Sequence, residues 1–266
     1  MLADGVADER ELTLITHRIA QHPLFEGMSL EQAKTLTDLS ADSVRFAGGS
    51  LARAASLAKG LPARCHRLTA FAMAAEVCAS DTRFVDSERH YLESLRLALR
   101  LGPLEAEYAY ASLATGELPK FIEDRVLRIR SLTPLACDLF ALRAAAKGEA
   151  DDDHRFRVSD FLASIADFVP DRDQLNAELY RAFKAVGRLS DLNEALRQLA
   201  TALPDPIDRY WLTVYALVAE PPDDVPNWRV IPFIGMIQGA FQIIDADLEF
   251  AVTDALLFPA STPRPS

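Results

Sequence analysis

Apolar residues recur along this chain at three- and four-residue spacing, and no run sustains the two-residue alternation of a half-buried strand. An apolar run from Leu68 to Val77 predicts one buried helix, and Tyr91, Leu92, Leu95 and Leu99 lay a stripe along the next. Breaks fall at Pro23/Gly27, Gly48-Gly49, Gly60-Leu61-Pro62, residues 80–86, Gly102-Pro103, Gly116 to Pro119 and Pro134. They continue at Gly148, Pro170, Gly187, Pro204, residues 221–226 and Asp245. Proline in a first helical turn and glycine just past a last one account for most of these positions. The pattern predicts an all-α protein.

The same pattern repeats. Leu61-Pro62 returns as Leu203-Pro204, Arg67 as Arg209, Asp81 as Asp223 and Glu107 as Glu249, each 142 residues later. The apolar pairs Tyr91/Phe233, Leu92/Ile234, Leu95/Ile237 and Leu101/Ile243 share that offset, and one residue of slippage aligns Ile19 with Leu162 and Phe25 with Phe168. A period this long belongs to a duplicated domain and not to a solenoid. The expectation is two tandem helical-bundle domains, over 1–117 and 150–258. Residues 118–149 form a helical linker of two short helices broken at Thr133-Pro134, where proline disfavours helix at the preceding residue. The tail 259–266, PASTPRPS, is expected to be disordered.

Composition narrows the function. With 266 residues and half of them hydrophobic, the chain can bury two ordinary cores. A net charge of −11 argues against the counterion-releasing grip on a phosphate backbone, so nucleic acid is not an expected partner. The longest apolar stretch, residues 230–244, is interrupted by Gln238 and Gln242 and is too short to span a bilayer. The acidic N-terminus, MLADGVADERELT, has no secretory pattern, so the expected location is cytoplasmic. Three cysteines without a CxxC pair predict neither a disulfide framework nor a zinc knuckle.

Candidate chemistry concentrates at CASDTRFVDSERHYLE, residues 78–93. Asp86 stands where an N-cap is expected, which leaves Asp81 and Glu88 to explain. An EF-hand starting at Asp81 fails, because Arg83, Val85, Asp86 and Leu92 occupy the positions that need two oxygen ligands, a glycine and a bidentate glutamate. Asp81, Asp86 and Glu88 could still converge on a hard cation such as Ca²⁺, Mg²⁺ or Mn²⁺. Ordinary capping and solvation of a helix start is the alternative. The stretch HPLFEGMSLEQ, 22–32, has the same outline, with Glu26 and Glu31 as further candidate ligands.

Over residues 72–102 an Ala-rich helix, Asp81, a short turn, Val85, Asp86-Ser87, Glu88 and a second amphipathic helix follow one another. This run resembles the tellurite-resistance TerB-like family, best over 28–115, and departs from it at Thr82, where a glycine is usual. The resemblance implies compact all-helical domains without catalysis, in bacterial stress response, with an acidic surface that could bind metal. It matches Asp81 to the family's aspartate and Glu88 to its glutamate. The second copy carries EPPDDVPNWRV, 220–230, where Trp228 and Val230 replace Asp86 and Glu88, so it is expected to have lost the site.

No GxSxG, HExxH or phosphate-cradling glycine loop is present, and Cys78 with His90 lacks a third partner at recognisable spacing. The expected function is therefore non-enzymatic: a stress-response protein that binds a divalent cation through its acidic loop. Its expected partners are proteins, a membrane-associated stress-response complex among them. The alternative is a helical interaction module without a ligand, its partner docking on the second domain around Trp228.

Overall fold

The structure is a computed structural model. It describes residues 9–21, 25, 27–46, 50–58, 61, 64–79, 86–165, 171–258, 262 and 265. These form fourteen α-helices and one 3-10 helix, with no strand. The chain divides into two compact units, one of Met1–Leu101 with Ala106–Ile122, the other of Gly102–Glu105 with Glu123–Ser266. No helix among the described residues is long and apolar enough to cross a membrane.

In the first unit α1 (Glu9–Gln21) packs against α2 (Leu30–Phe46). Their buried threonines meet, Thr16 Oγ1 donating to Thr37 Oγ1 at 3.3 Å. α2 starts with a capping box: Ser29 Oγ accepts from the Gln32 amide at 3.2 Å, and the Gln32 side chain accepts from the Ser29 amide at 2.8 Å. α3 (Ser50–Ala58) packs on α5 (Asp86–Ala98), and α4 (Arg64–Cys78) lies between α1 and α5. Alanines let α4 approach its neighbours closely, so Leu68, Phe71, Ala72 and Ala75 are all fully buried. Leu92, Leu95 and Leu99 of α5 and Ala109 of α6 (Pro103–Thr115) are also core residues. Phe71 meets Tyr110 edge to face, with ring centroids 5.6 Å apart.

In the second unit aspartates open four helices. Asp151, Asp171, Asp191 and Asp205 cap α9 (Asp152–Ser164), α10 (Arg172–Val186), α11 (Leu192–Ala202) and α12 (Pro206–Val218) by accepting first-turn amides. The 3-10 helix Val225–Val230, α13 (Pro232–Phe241) and α14 (Asp245–Leu256) complete it. α12 is buried along nearly its whole length, Trp211 and Tyr215 included, as an apolar helix enclosed by α8 (Thr133–Lys147), α13, α14 and the 3-10 helix must be.

The stretch read as a linker contributes to this core. α7 (Leu118–Ser131) sends Arg125 to Asp205 at 2.6 Å and Arg128 to the fully buried Asp208 at 2.7 Å. α8 (Thr133–Lys147) buries Ala136, Cys137, Leu139, Phe140 and Ala141 against its neighbours. It ends at Gly148, whose φ of 73° is the left-handed conformation that glycine adopts without strain.

Helix starts recur along the chain at one offset. Those of α2, α3, α4 and α6, at 30, 50, 64 and 103, meet those of α10, α11, α12 and α14, at 172, 192, 206 and 245, 142 residues later in every case. From α1 to α9 the step is 143, the slippage read from Ile19 and Leu162, both of them buried. From α5 to α13 it is 146, because the 3-10 helix takes up the residues that correspond to the first turn of α5.

Candidate functional site

The junction of α4 and α5 follows from residue preference. α4 runs out of apolar residues after Val77 and Cys78, and Asp86 and Glu88 occupy the first turn of α5, where carboxylates complement the helix dipole. Asp86 is exposed and Glu88 half-buried. His90 Nδ1 donates to the Asp86 carbonyl at 2.8 Å, which ties the exposed ring of His90 to its own helix. Glu31 is exposed in the first turn of α2. Asp81 and Glu26 lie outside the described residues. Among the described residues no group of three or more His, Cys, Asp or Glu stands close enough to hold a metal ion. The structure therefore brings Asp86 and Glu88 onto one turn and gathers no third described carboxylate with them.

Behind this junction lies an open cavity of about 560 Å³, lined by Ala79 at the end of α4, Arg89 of α5, and Tyr110, Leu113 and Ala114 of α6. Its described walls are mainly aliphatic and include the guanidinium of Arg89 and the phenol of Tyr110. Burial, reinforced by the Glu93 carboxylate, pushes the Tyr110 hydroxyl up to about 12, so the phenol keeps its proton at neutral pH. No sequence motif announces this cavity. The available signal is the pair of alanines, Ala79 and Ala114, where the chain 142 residues later carries Pro221 and Leu256.

The corresponding region of the second unit is built differently. The break at residues 221–226 runs into a 3-10 helix, Val225–Val230, that accepts Pro226 in its first turn. Trp228 is only 5% exposed there, so its indole is a core residue and not a presented contact. The Arg229 guanidinium covers it, 4.4 Å from the ring centroid, and Val230 beside it is 74% exposed. Glu220, at the head of this segment, is buried and accepts from Arg143 at 2.8 Å and from Lys147 at 2.7 Å. Burial alone raises its pKa, and the two cations more than offset this, holding its carboxyl below the usual range.

Among the described residues neither cysteine shows an activated thiol. Cys78 is buried, and burial together with Asp138 pushes Cys137 up to about 12. No family model, curated protein or solved structure matches the chain.

Proposed function

We propose that the chain is a non-enzymatic, tandem TerB-like protein of bacterial stress response, related to tellurite resistance, acting in the cytoplasm with protein partners. Its first copy holds a divalent cation at the α4–α5 junction through Asp81, Asp86 and Glu88, and its second copy is given over to structure. The observation that carries this reading is the common offset of the helix starts, combined with what stands at the start of α5. There the first copy has Asp86 and Glu88, and the second has a buried Trp228 and a Val230. Oxygen-only donors at a helix junction suit Ca²⁺, Mg²⁺ or Mn²⁺, and a cation there would pin the end of α4 to the start of α5.

The test is thermal unfolding of the full chain across Ca²⁺, Mg²⁺ and Mn²⁺, because a ligand of the native state raises stability by mass action. A metal-specific gain that disappears in the Asp81→Ala/Glu88→Ala double variant is the expected result. No gain at millimolar metal removes the cation from the reading.

A second reading, partner docking on the second unit, is favoured by the exposure of Val230 beside the Arg229–Trp228 stack. It requires that Val230→Asp abolish co-purification of a partner that the unaltered chain retains; undiminished co-purification sinks it.

A further inference from the structure

Along α9 the residues His154, Val158, Phe161 and Leu162 recur at helical spacing on one face, and all four are fully buried. His154 is the titratable member of that stripe. The turn before it sets its place: Gly148 redirects the chain after α8, and Asp151 accepts the His154 amide at 2.7 Å, so the imidazole is carried inward with the first turn of α9.

Both ring nitrogens are constrained. Arg157 Nη2 lies 3.1 Å from Nδ1, and because a guanidinium can only donate, Nδ1 is the bare nitrogen and the ring proton sits on Nε2. Nε2 is buried and has no hydrogen-bond partner among the described residues. Glu149 Oε2 is likewise buried without a hydrogen bond, and it stands 3.2 Å from Nδ1. One nitrogen thus faces a donor that it uses and an acceptor that it cannot use while the ring is neutral.

We propose that His154 is a proton-operated switch in the second unit, in which protonated Nδ1 gives up Arg157, donates to Glu149 Oε2 and releases the Arg157 side chain to solvent. The added proton comes from solvent and takes the Nδ1 lone pair that accepts from Arg157. Two N–H donors then oppose each other, and the carboxylate oxygen already in place becomes the partner. Arg157 is an exposed residue, so its departure uncovers no core.

The surrounding charges leave this exchange to two residues. Arg143 faces the ring from α8, Glu149 and Asp151 from the connection and Arg157 from α9 itself. Arg143 is held by Glu220 at 2.8 Å, and the Asp151 side chain caps the helix. From α10 comes the Phe183 ring, its centroid 6.5 Å from that of the imidazole, while the exposed Lys184 lies over Tyr180. A charged ring with an unpartnered Nε2–H is costly in such a place, so the neutral arrangement holds until pH falls below the ordinary histidine value of about 6.5.

The experiment is long-range ¹H–¹⁵N NMR of the imidazoles in the full chain from pH 7.5 to 4.5, with the His154 ring assigned through its own backbone. Glu149→Gln and Arg157→Gln, both at positions that reach solvent, are compared with the unaltered chain. The expected ring at pH 7.5 carries its proton on Nε2 and takes up a second one below about 6.5. Glu149→Gln should lower that midpoint by about one pH unit and Arg157→Gln should raise it, as loss of an attracting and of a repelling charge requires. The Arg157 Nε–H of the unaltered chain should lose order at the same midpoint. A proton on Nδ1 at pH 7.5 overturns the proposal, and so does a ring that stays neutral to pH 4.5. It is equally overturned by a midpoint that either variant leaves in place or moves in the other direction, or by an Arg157 side chain as ordered below the midpoint as above it.

Discussion

Arg209 donates from Nε to the carbonyl of Leu203, six residues before it, at 2.5 Å, and Arg67 reaches back in the same way from Nη1 to Leu61 at 3.5 Å. Both arginines stand in the first turn of a buried helix and collect a carbonyl left without an amide partner at the end of the preceding segment. Arg209 goes further and also takes the carbonyls of Ala200 at 2.9 Å and Phe241 at 3.2 Å, so one side chain closes the ends of α11 and α13.

Replacing Arg209 with methionine keeps the aliphatic stem, removes a charged donor from the carbonyls of Leu203 and Phe241, and leaves Ala200 with the Leu203 amide alone. A loss of about 3 kcal/mol is expected, in line with hydrogen bonds to a charged donor. Urea unfolding measures it; a loss within about 0.5 kcal/mol, the size of an ordinary surface change, would show that water replaces the guanidinium without cost.

Glu220 should set an acid limit on stability. Its folded pKa lies below the ordinary carboxylate value, so its contribution is complete above about 4.5 and is lost as pH falls through the folded pKa. Glu220→Gln should flatten that acid limb. At neutral pH it should cost about 3–5 kcal/mol, because the fully buried Arg143 is left without its counter-charge. Urea midpoints from pH 3 to 7 on both proteins decide it.

His154 works in the opposite pH range. It is fully buried, with Nδ1 3.2 Å from Glu149 and 3.1 Å from an Arg157 nitrogen. Burial lowers its pKa, Glu149 and Asp151 oppose this, and Arg143 and Arg157 add to it. The neutral ring is therefore the folded form. Its contribution is complete above about 6.5 and is lost as pH falls from there through the folded pKa. His154→Phe should remove the decline in unfolding midpoint between pH 7.5 and 5.5; an unchanged decline would assign it to another group.

Gly102 has no room for a side chain. A Cβ there would stand 2.8 Å from Cε1 of Tyr210, whose hydroxyl donates to Asp254 at 2.6 Å and holds the ring in place. Gly102→Ala should destabilise by about 1–3 kcal/mol, the usual cost of overpacking. Pairing it with Tyr210→Leu should recover part of the loss, and a double variant that is no better than additive would exclude the ring as the cause.

Helix positions were legible because proline, glycine and aspartate mark them locally. Leu61-Pro62 and Leu203-Pro204 each precede a buried helix, and the aspartate caps Asp171 and Asp205 directly follow the breaks at Pro170 and Pro204. The burial of α8 was not legible: its alanine-rich run falls outside the repeat, and the partners that bury it, α10 and α11, lie far along the chain. Trp228 misled for a local reason. Pro221, Pro222 and Pro226 mark a break in the pattern, whereas the 3-10 helix tolerates Pro226 and turns the indole inward. At the candidate site, Asp86 and Glu88 fall where a capping pattern puts them. The cavity beside them is a volume that side chains do not fill, and residue types taken singly do not encode it.

The four residues Gly102–Glu105 belong to the second unit, although the chain on either side of them belongs to the first. Glu105 is buried and accepts the indole N–H of Trp211 at 2.5 Å, so part of the second unit's polar wiring is supplied by an excursion of the chain. The backbone changes unit three times, and no single cut releases both halves whole. A fragment beginning at residue 123 would leave the indole N–H of Trp211 buried without its acceptor, so a proteolytic nick or an excised half would not report the second unit's own stability. The two halves are interleaved in sequence, and unfolding of one should be felt by the other through a shared stretch of covalent chain.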